Sequence, residues 1–576
     1  LPDTQRASVE SMALAVEAVC AWAERYADLA EGLAARAVES AERERLRRIA
    51  QACRHVPREP ARDLYEALQS IWLVHAAIGI SELSQASLSL GCLDRYLWPL
   101  FATSADPDLV RAALRDFFGK LNRYGDPAAT LNLGGVGPDG ADLFNPLSAL
   151  IVDTVAALRL PAPLLAARIH VRTPPAVFDC LTRPELIALG QPTFYGEESC
   201  VAALLARGIP ADRVQSWCAN SCMGLYMPGE EICDMWGGVV NLLVPLELAL
   251  NHGRPLRGEM PVALHTPPAT AQTLPELQAT LLAYTREFVD LVVQYNRDAT
   301  AWQARERPNP FLSALTADCL ERGLDRAGGG ARYYGVTVEA FGLVNAADAL
   351  TAIDEVVFRS RRYTLAEVTA ALAGNFAGAG ELRQALLAAP KFGRAHAGAD
   401  GMVRWLADAF ADAVSGHNRD GIAYLPSFHT LNAHLGAGAK TAASADGRGA
   451  GEPLAKNLGP MLRGPRFDAT AVLLSCSTVD QRRFAGGQAV DLSLDGALLG
   501  TQGGRAALQA LLRTYFGRGG LQVQVNGVTP ALLRSAMADP EHHGHVIVRI
   551  AGYSARFVSL SRAVQEEMVH RFECGL

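Results

Sequence analysis

Ile547-Val548-Arg549-Ile550-Ala551-Gly552-Tyr553-Ser554-Ala555, close to the end of a 576-residue chain, decides how the rest is read. A lone glycine between apolar residues ordinarily marks a bend or a bulge beside a strand. Glycine also has a chemical property that no other residue shares. A radical at Cα must flatten to delocalise into the amide nitrogen and the carbonyl, and a side chain would clash with that planar form. Gly552 is therefore either a turn or a place to keep an unpaired electron.

Just upstream, Leu521-Gln522-Val523-Gln524-Val525-Asn526-Gly527 alternates apolar and polar residues and ends on Asn-Gly, which predicts a strand and a turn. A helix is predicted from Pro530 to Met537, closed by Pro540-Glu541. A stored radical is useful only beside a group that can relay hydrogen, and cysteine suits that task because its thiyl form takes hydrogen from carbon. The chain has 11 cysteines, and most free cysteines are small buried hydrophobes. Trp217-Cys218-Ala219-Asn220-Ser221-Cys222-Met223-Gly224 differs in context, following a helix-like run from Ser199 to Arg207 and then Gly208-Ile209-Pro210-Ala211-Asp212-Arg213.

Strand, turn, helix, Pro-Glu and then Val-Arg-Ile-Ala-Gly-Tyr-Ser, together with that cysteine loop, resemble the pyruvate formate-lyase-like glycyl radical enzymes. The Pro-rich approach Pro57 to Ala61, the Glu66-Ala67-Leu68-Gln69 helix and Gly91-Cys92-Leu93-Asp94-Arg95-Tyr96 extend the likeness over nearly the whole chain. The resemblance implies that Gly552 stores the radical and that Cys222 abstracts hydrogen from substrate and returns it to product. Those residues stand 330 positions apart, so the fold must bring two distant loops together. The implied fold is α/β: a barrel of about ten strands, made of two parallel half-barrels wrapped by helices. It places a barrel domain at 1–450 and a glycine radical domain at 451–576. The implied cofactor is the post-translational radical itself, with no bound metal or organic group. Partners would be a small-molecule substrate, an S-adenosylmethionine-dependent activating enzyme that docks transiently, and a second copy in a homodimer. Air should cut the activated chain near Gly552.

Two departures bear on substrate. The chain begins at Leu1, well inside the family pattern, so the usual N-terminal helical region and first barrel segments are expected to be missing. Many eliminating relatives carry Cys-x-Glu, the carboxylate serving as acid or base, whereas here that position is Gly224. Cys218 and Cys222 are separated by three residues, so the adjacent-cysteine acetyl transfer of pyruvate formate-lyase is not expected. A lyase or eliminase breaking a C-C or C-heteroatom bond is the leading reading. The alternatives are a fumarate-adding synthase, to which Cys222-Met223 and a Gly-containing loop bear a short likeness, and a diverged inert relative.

Candidate acid/base or substrate-binding residues are Glu230, Glu231 and Asp234 after the cysteine loop, Glu339, His170 at a predicted strand end, and Arg332. Each reads more readily as a solvated carboxylate or a satisfied structural group. Tyr333 and Tyr334 read as core or pocket wall.

Composition is consistent with a large enzyme: 49% hydrophobic residues supply a sizeable core, and a net charge of −7 with no basic tract argues against nucleic acid. No apolar run is long enough for a membrane span. No Cys-x-x-Cys pair occurs, which weakens zinc, thioredoxin-like and iron-sulfur readings, and an odd cysteine count fits the cytoplasm. Apolar spacing from Thr4 to Ala50 predicts two long amphipathic helices, with a restart near Leu64 in which Pro60 occupies the first turn.

Overall fold

The computed structural model describes residues 2–81, 88–104, 106–123, 128–220, 223–419 and 421–575. Strands within them are β1 (Thr130–Gly134), β2 (Leu164–Ile169), β3 (Thr193–Gly196), β4 (Cys218–Asn220), β5 (Gly224–Tyr226) and β6 (Glu231–Asn241). They continue as β7 (Tyr333–Phe341), β8 (Ile422–Ser427), β9 (Asp491–Ser493), β10 (Gln522–Asn526), β11 (Ile547–Arg549) and β12 (Ser554–Arg556).

Two sheets carry the architecture, in the orders β1-β2-β3-β10-β9 and β6-β7-β8. Pairing is parallel throughout except at β3 and β10, which run antiparallel. A parallel bridge between Phe428, just past β8, and Gln488, just before β9, links the second sheet to the first. The strands thus form two parallel halves, β1-β2-β3 and β6-β7-β8-β9-β10, that meet at the β3/β10 seam. Eight strands make up these sheets among the described residues, against about ten expected. Ser89 adds only a single bridge to β1, and the residues just before it, 82–87, lie outside the described set.

Alternation along each strand separates two faces. Leu131 and Leu133, Leu165 and Ala167, Val336 and Val338, and Val523 and Val525 point into the main core under the surrounding helices. The opposite row is polar yet buried: Asn132, Arg168, Thr337, Glu339, Asp491, Gln524 and Asn526. Strands of a parallel sheet covered on both faces are usually hydrophobic on both. A polar inner row is the signature of a lumen that holds something polar.

The helical scaffold follows the sequence closely. Asp3–Arg36 and Ser40–His55 pair through Ala23, Ala27, Ala30, Ala50 and Cys53, small residues that let the two axes approach. The restart differs by one turn: its helix spans Leu64–Ser81, with the Glu66 amide donating to Asp63 Oδ1 at 2.8 Å, so Pro60 precedes the helix. Asp63 is the better start because its carboxylate satisfies a first-turn amide that proline can only omit. The 33-residue helix Leu274–Glu306 starts as the rules predict, with Thr273 accepting from the Glu276 amide and Pro275 in the first turn.

Candidate active site

Gly552 sits at the turn of the β11–β12 hairpin, where the Ile550 amide donates to the Tyr553 carbonyl at 2.9 Å. Ile550, Ala551 and Gly552 are buried. The inner row of β10 holds this hairpin in place. Asn526 exchanges two hydrogen bonds with the Arg549 backbone, accepting from its amide at 2.8 Å and donating to its carbonyl at 2.9 Å. Arg549 Nε donates both to Gln524 Oε1 at 3.0 Å and to the Ala551 carbonyl at 2.6 Å. Lys456 Nζ donates to the Ile550 carbonyl, and burial pushes its pKa down. Gly190 backs the hairpin at φ +66°, and a Cβ there would lie 2.6 Å from Arg549 Cβ, so the close approach requires glycine.

Cys222 and its neighbour Ser221 lie outside the described residues, whereas the strands before and after them, β4 and β5, are described. β4 and β5 pair with Asn220 opposite Gly224. Asn132 on β1 clamps this hairpin from the lumen side, accepting from the Ala219 amide at 2.7 Å and donating to the Ala219 carbonyl at 3.0 Å. Behind it, Arg168 and Glu197 form an ion pair with side chains no more than 4% exposed. Arg168 also stacks on Trp217 at 4.4 Å and donates to its carbonyl at 3.0 Å. Removing one partner of such a pair strands the other charge in the interior, so Arg168→Met should cost about 3–5 kcal/mol of stability, read from denaturant midpoints.

The far side of the cysteine hairpin faces β6, β7 and β8. Met223 packs on Gly487, whose carbonyl accepts from the Phe428 amide at 3.1 Å, and a Cβ on Gly487 would lie 2.4 Å from Met223 Cγ. Met235 lies 3.4 Å from where a Gly224 side chain would begin. The chain before residue 221 is therefore held by the first half of the barrel and the chain after residue 222 by the second.

Glu339 and Ser427 are register partners on β7 and β8, both wholly buried. Neither oxygen of Glu339 completes a well-aligned hydrogen bond, nor does the Ser427 hydroxyl. Burial pushes the Glu339 carboxyl up to about 7, with the nearby Ser427 and Thr337 hydroxyls and the His429 amide opposing. His429, next along this face, is pulled down to about 3 by burial and by the charges of Lys456 and Arg549, and so stays neutral. The Trp236 indole N-H donates to His429 Nδ1 at 3.2 Å, which leaves the proton of the neutral ring on Nε2, an atom with no partner.

Sequence reasoning missed Trp236 and His429. Trp236 adopts φ +64° at a bulge between Asp234 and Gly238, its amide donating to Thr337 Oγ1 at 2.7 Å. The usable signal was Gly237-Gly238 inside a strand, since internal glycines mark bulges, and bulges re-aim side chains. Both glycines are sterically required, a Cβ at either falling 2.3 Å from a valine methyl.

The other sequence candidates are occupied as partners. Glu230 bonds Arg213 at 2.7 Å and Arg332 at 3.2 Å, while Arg332 also pairs with Asp318. Glu231 is paired with Arg207 and accepts from the Met227 amide at 3.0 Å. Asp234 accepts from the Tyr334 hydroxyl at 2.6 Å, and His170 Nε2 meets Asp142 Oδ2 at 2.6 Å. Of the six acid/base and substrate-binding candidates, Glu339 is the one whose carboxylate has no ion-pair partner and no well-aligned hydrogen bond, and it belongs to the buried polar row of the strands. Among the described residues no group of three or more His, Cys, Asp or Glu is placed to hold a metal ion.

Residues 3–438 match the model of the pyruvate formate lyase-like family, and residues 454–558, which include Gly552, match the glycine radical model. The chain is 27% identical to trans-4-hydroxy-L-proline dehydratase of Clostridioides difficile, covering 99% of this chain and 75% of that protein. It is also 27% identical to (2S)-3-sulfopropanediol dehydratase of Klebsiella oxytoca, over 98% and 71% of the two chains. The glycerol-bound B12-independent glycerol dehydratase from Clostridium butyricum superimposes with a TM-score of 0.92 at 26% identity, over 99% of this chain and 75% of that one. Model, relatives and superposition agree with the barrel and with a C-terminal glycine radical domain, and the chain belongs to the pyruvate formate-lyase-like glycyl radical enzymes, as a lyase whose cofactor is a post-translational glycyl radical.

Proposed function

We propose that the chain is a radical eliminase in which Gly552 stores the radical, Cys222 exchanges hydrogen with substrate, and Glu339 manages the proton. The substrate would be a small molecule bearing a hydroxyl beside its leaving group. In the first step the Cys222 thiyl breaks a C-H bond next to that hydroxyl and forms S-H, leaving the radical on carbon. Glu339 as carboxylate then takes the hydroxyl proton, the adjacent C-heteroatom bond breaks, and the leaving group accepts that proton. Cys222 returns its hydrogen to the product radical, so each turnover restores thiyl and carboxylate.

The observation that carries this reading is the state of Glu339: wholly buried, with no cation beside it and only loosely aligned polar neighbours, and pushed up to about 7, where a carboxyl both gives and takes a proton readily. It supplies the function for which Gly224 has no side chain. Sulfopropanediol and glycerol in the names of relatives each carry a hydroxyl beside another that can leave, which supports the substrate class. A division at 450/451 is supported by the gap between the two matched family segments. The cytoplasmic homodimer and the S-adenosylmethionine-dependent activating enzyme implied by the resemblance belong to the same proposal.

Glu339→Gln tests it. The activated variant should keep its paramagnetic doublet while kcat falls about 10²–10⁴-fold, the range for a lost acid-base group, and the limb of the pH profile near 7 should vanish. Turnover within twofold of wild type with the same pH profile would overturn the role. Stability gives a second readout with a definite sign. The folded pKa lies above the ordinary 4.5, so wild type loses stability relative to Glu339→Gln as pH rises from about 4.5 through about 7.

A further inference from the structure

Two cations are bonded to consecutive carbonyls immediately before Gly552: Lys456 Nζ to Ile550, and Arg549 Nε to Ala551 at 2.6 Å. The Ala551 carbonyl belongs to the peptide group whose nitrogen is that of Gly552, one of the two groups into which a Gly552 radical delocalises. A charged donor on that oxygen draws the nitrogen lone pair toward the carbonyl and away from Cα. Charge-assisted hydrogen bonds are about twice as strong as neutral ones, and a buried site magnifies them. Arg549 is 1% exposed, so water does not weaken the effect.

We propose that Arg549 is a positioning residue that tunes the stored radical: by polarising the Ala551-Gly552 peptide it limits delocalisation onto nitrogen and strengthens the Gly552 Cα-H bond. The inference rests on the assignment of Gly552 and Cys222 above. The step it governs is the opening transfer, in which the Cys222 S-H bond breaks, a Cα-H bond forms on Gly552 and the radical moves to sulfur. A stronger Cα-H bond makes that transfer less uphill and lets the radical leave its store at each turnover. Without the cation the electron is held more tightly and used less often.

Arg549 Nε shares its hydrogen between Ala551 and Gln524 Oε1 at 3.0 Å, which supplies variants of opposite sign. After anaerobic activation, Arg549→Met should show a smaller α-proton splitting, a longer-lived radical, and turnover per radical reduced about tenfold. Gln524→Met removes the competing acceptor, concentrates the bond on Ala551, and should enlarge the splitting. A role limited to folding would lower radical yield in both variants without moving the splitting in opposite directions. Unchanged splitting and unchanged turnover per radical in Arg549→Met, or shifts of the same sign in both variants, would overturn the proposal. Should the activating enzyme fail to load Arg549→Met, Gln524→Met decides alone, an unchanged or reduced splitting refuting it. The splitting is read on the stored radical without substrate, so a wrong assignment of Cys222 would show separately, as turnover surviving in Cys222→Ser.

Discussion

Gly552→Ala, taken through anaerobic activation, should yield a folded protein with no paramagnetic doublet and no turnover. The hairpin is anchored by Asn526 and Gln524 of β10 and by Lys456, through bonds to residues 549 and 550, so an added methyl leaves the anchors in place. What the methyl opposes is planarity at Cα, the condition for spreading spin into both flanking peptide groups. Wild-type protein exposed to air after activation should be cut near residue 552, giving a small C-terminal fragment, while the variant stays whole. A doublet of normal intensity in Gly552→Ala would place the radical elsewhere and remove the basis of the proposed chemistry.

Cys222→Ser should separate storage from use. The doublet should form at wild-type intensity, because the hairpin clamp of Asn132 on Ala219 and the packing of Met223 on Gly487 do not involve the sulfur. Turnover should fall by at least about a thousandfold, since an O-H bond is much stronger than S-H and a barrier rise of only about 4 kcal/mol already gives that factor. Gas chromatography or coupled detection of product, normalised to spin count, checks it. Residual turnover within tenfold of wild type would show that another group abstracts hydrogen.

Local chemistry made the two loops legible in the sequence. The Val523/Val525 alternation and Pro530 fixed the strand and helix before Gly552, and the observed β10 and Pro530–Ala538 follow. The lumen was less legible, because it depends on which strands become neighbours. Asn132 and Ala219 are 87 positions apart, and no periodicity announces that one side chain will clamp the other's backbone. Glu339 could be nominated from its place after Gly328-Gly329-Gly330, but its lack of an ion-pair partner and its raised pKa are properties of burial. The Trp236–His429 contact spans 193 positions and arises from a bulge that the adjacent glycines hint at without giving a direction. Arg332 and Glu230 show the converse, residues suited to chemistry that the fold commits to ion pairs.

Gly190 meets Arg549 so closely that the β11–β12 hairpin sits in its berth without slack. For an outside enzyme to reach the hairpin, the berth must empty, leaving Asn526, Gln524 and Lys456 with groups no longer answered by the hairpin. Each such buried group costs about 1–3 kcal/mol until water or another donor meets it. The vacated seat thus pulls its occupant home, and exposure of the hairpin is brief by construction.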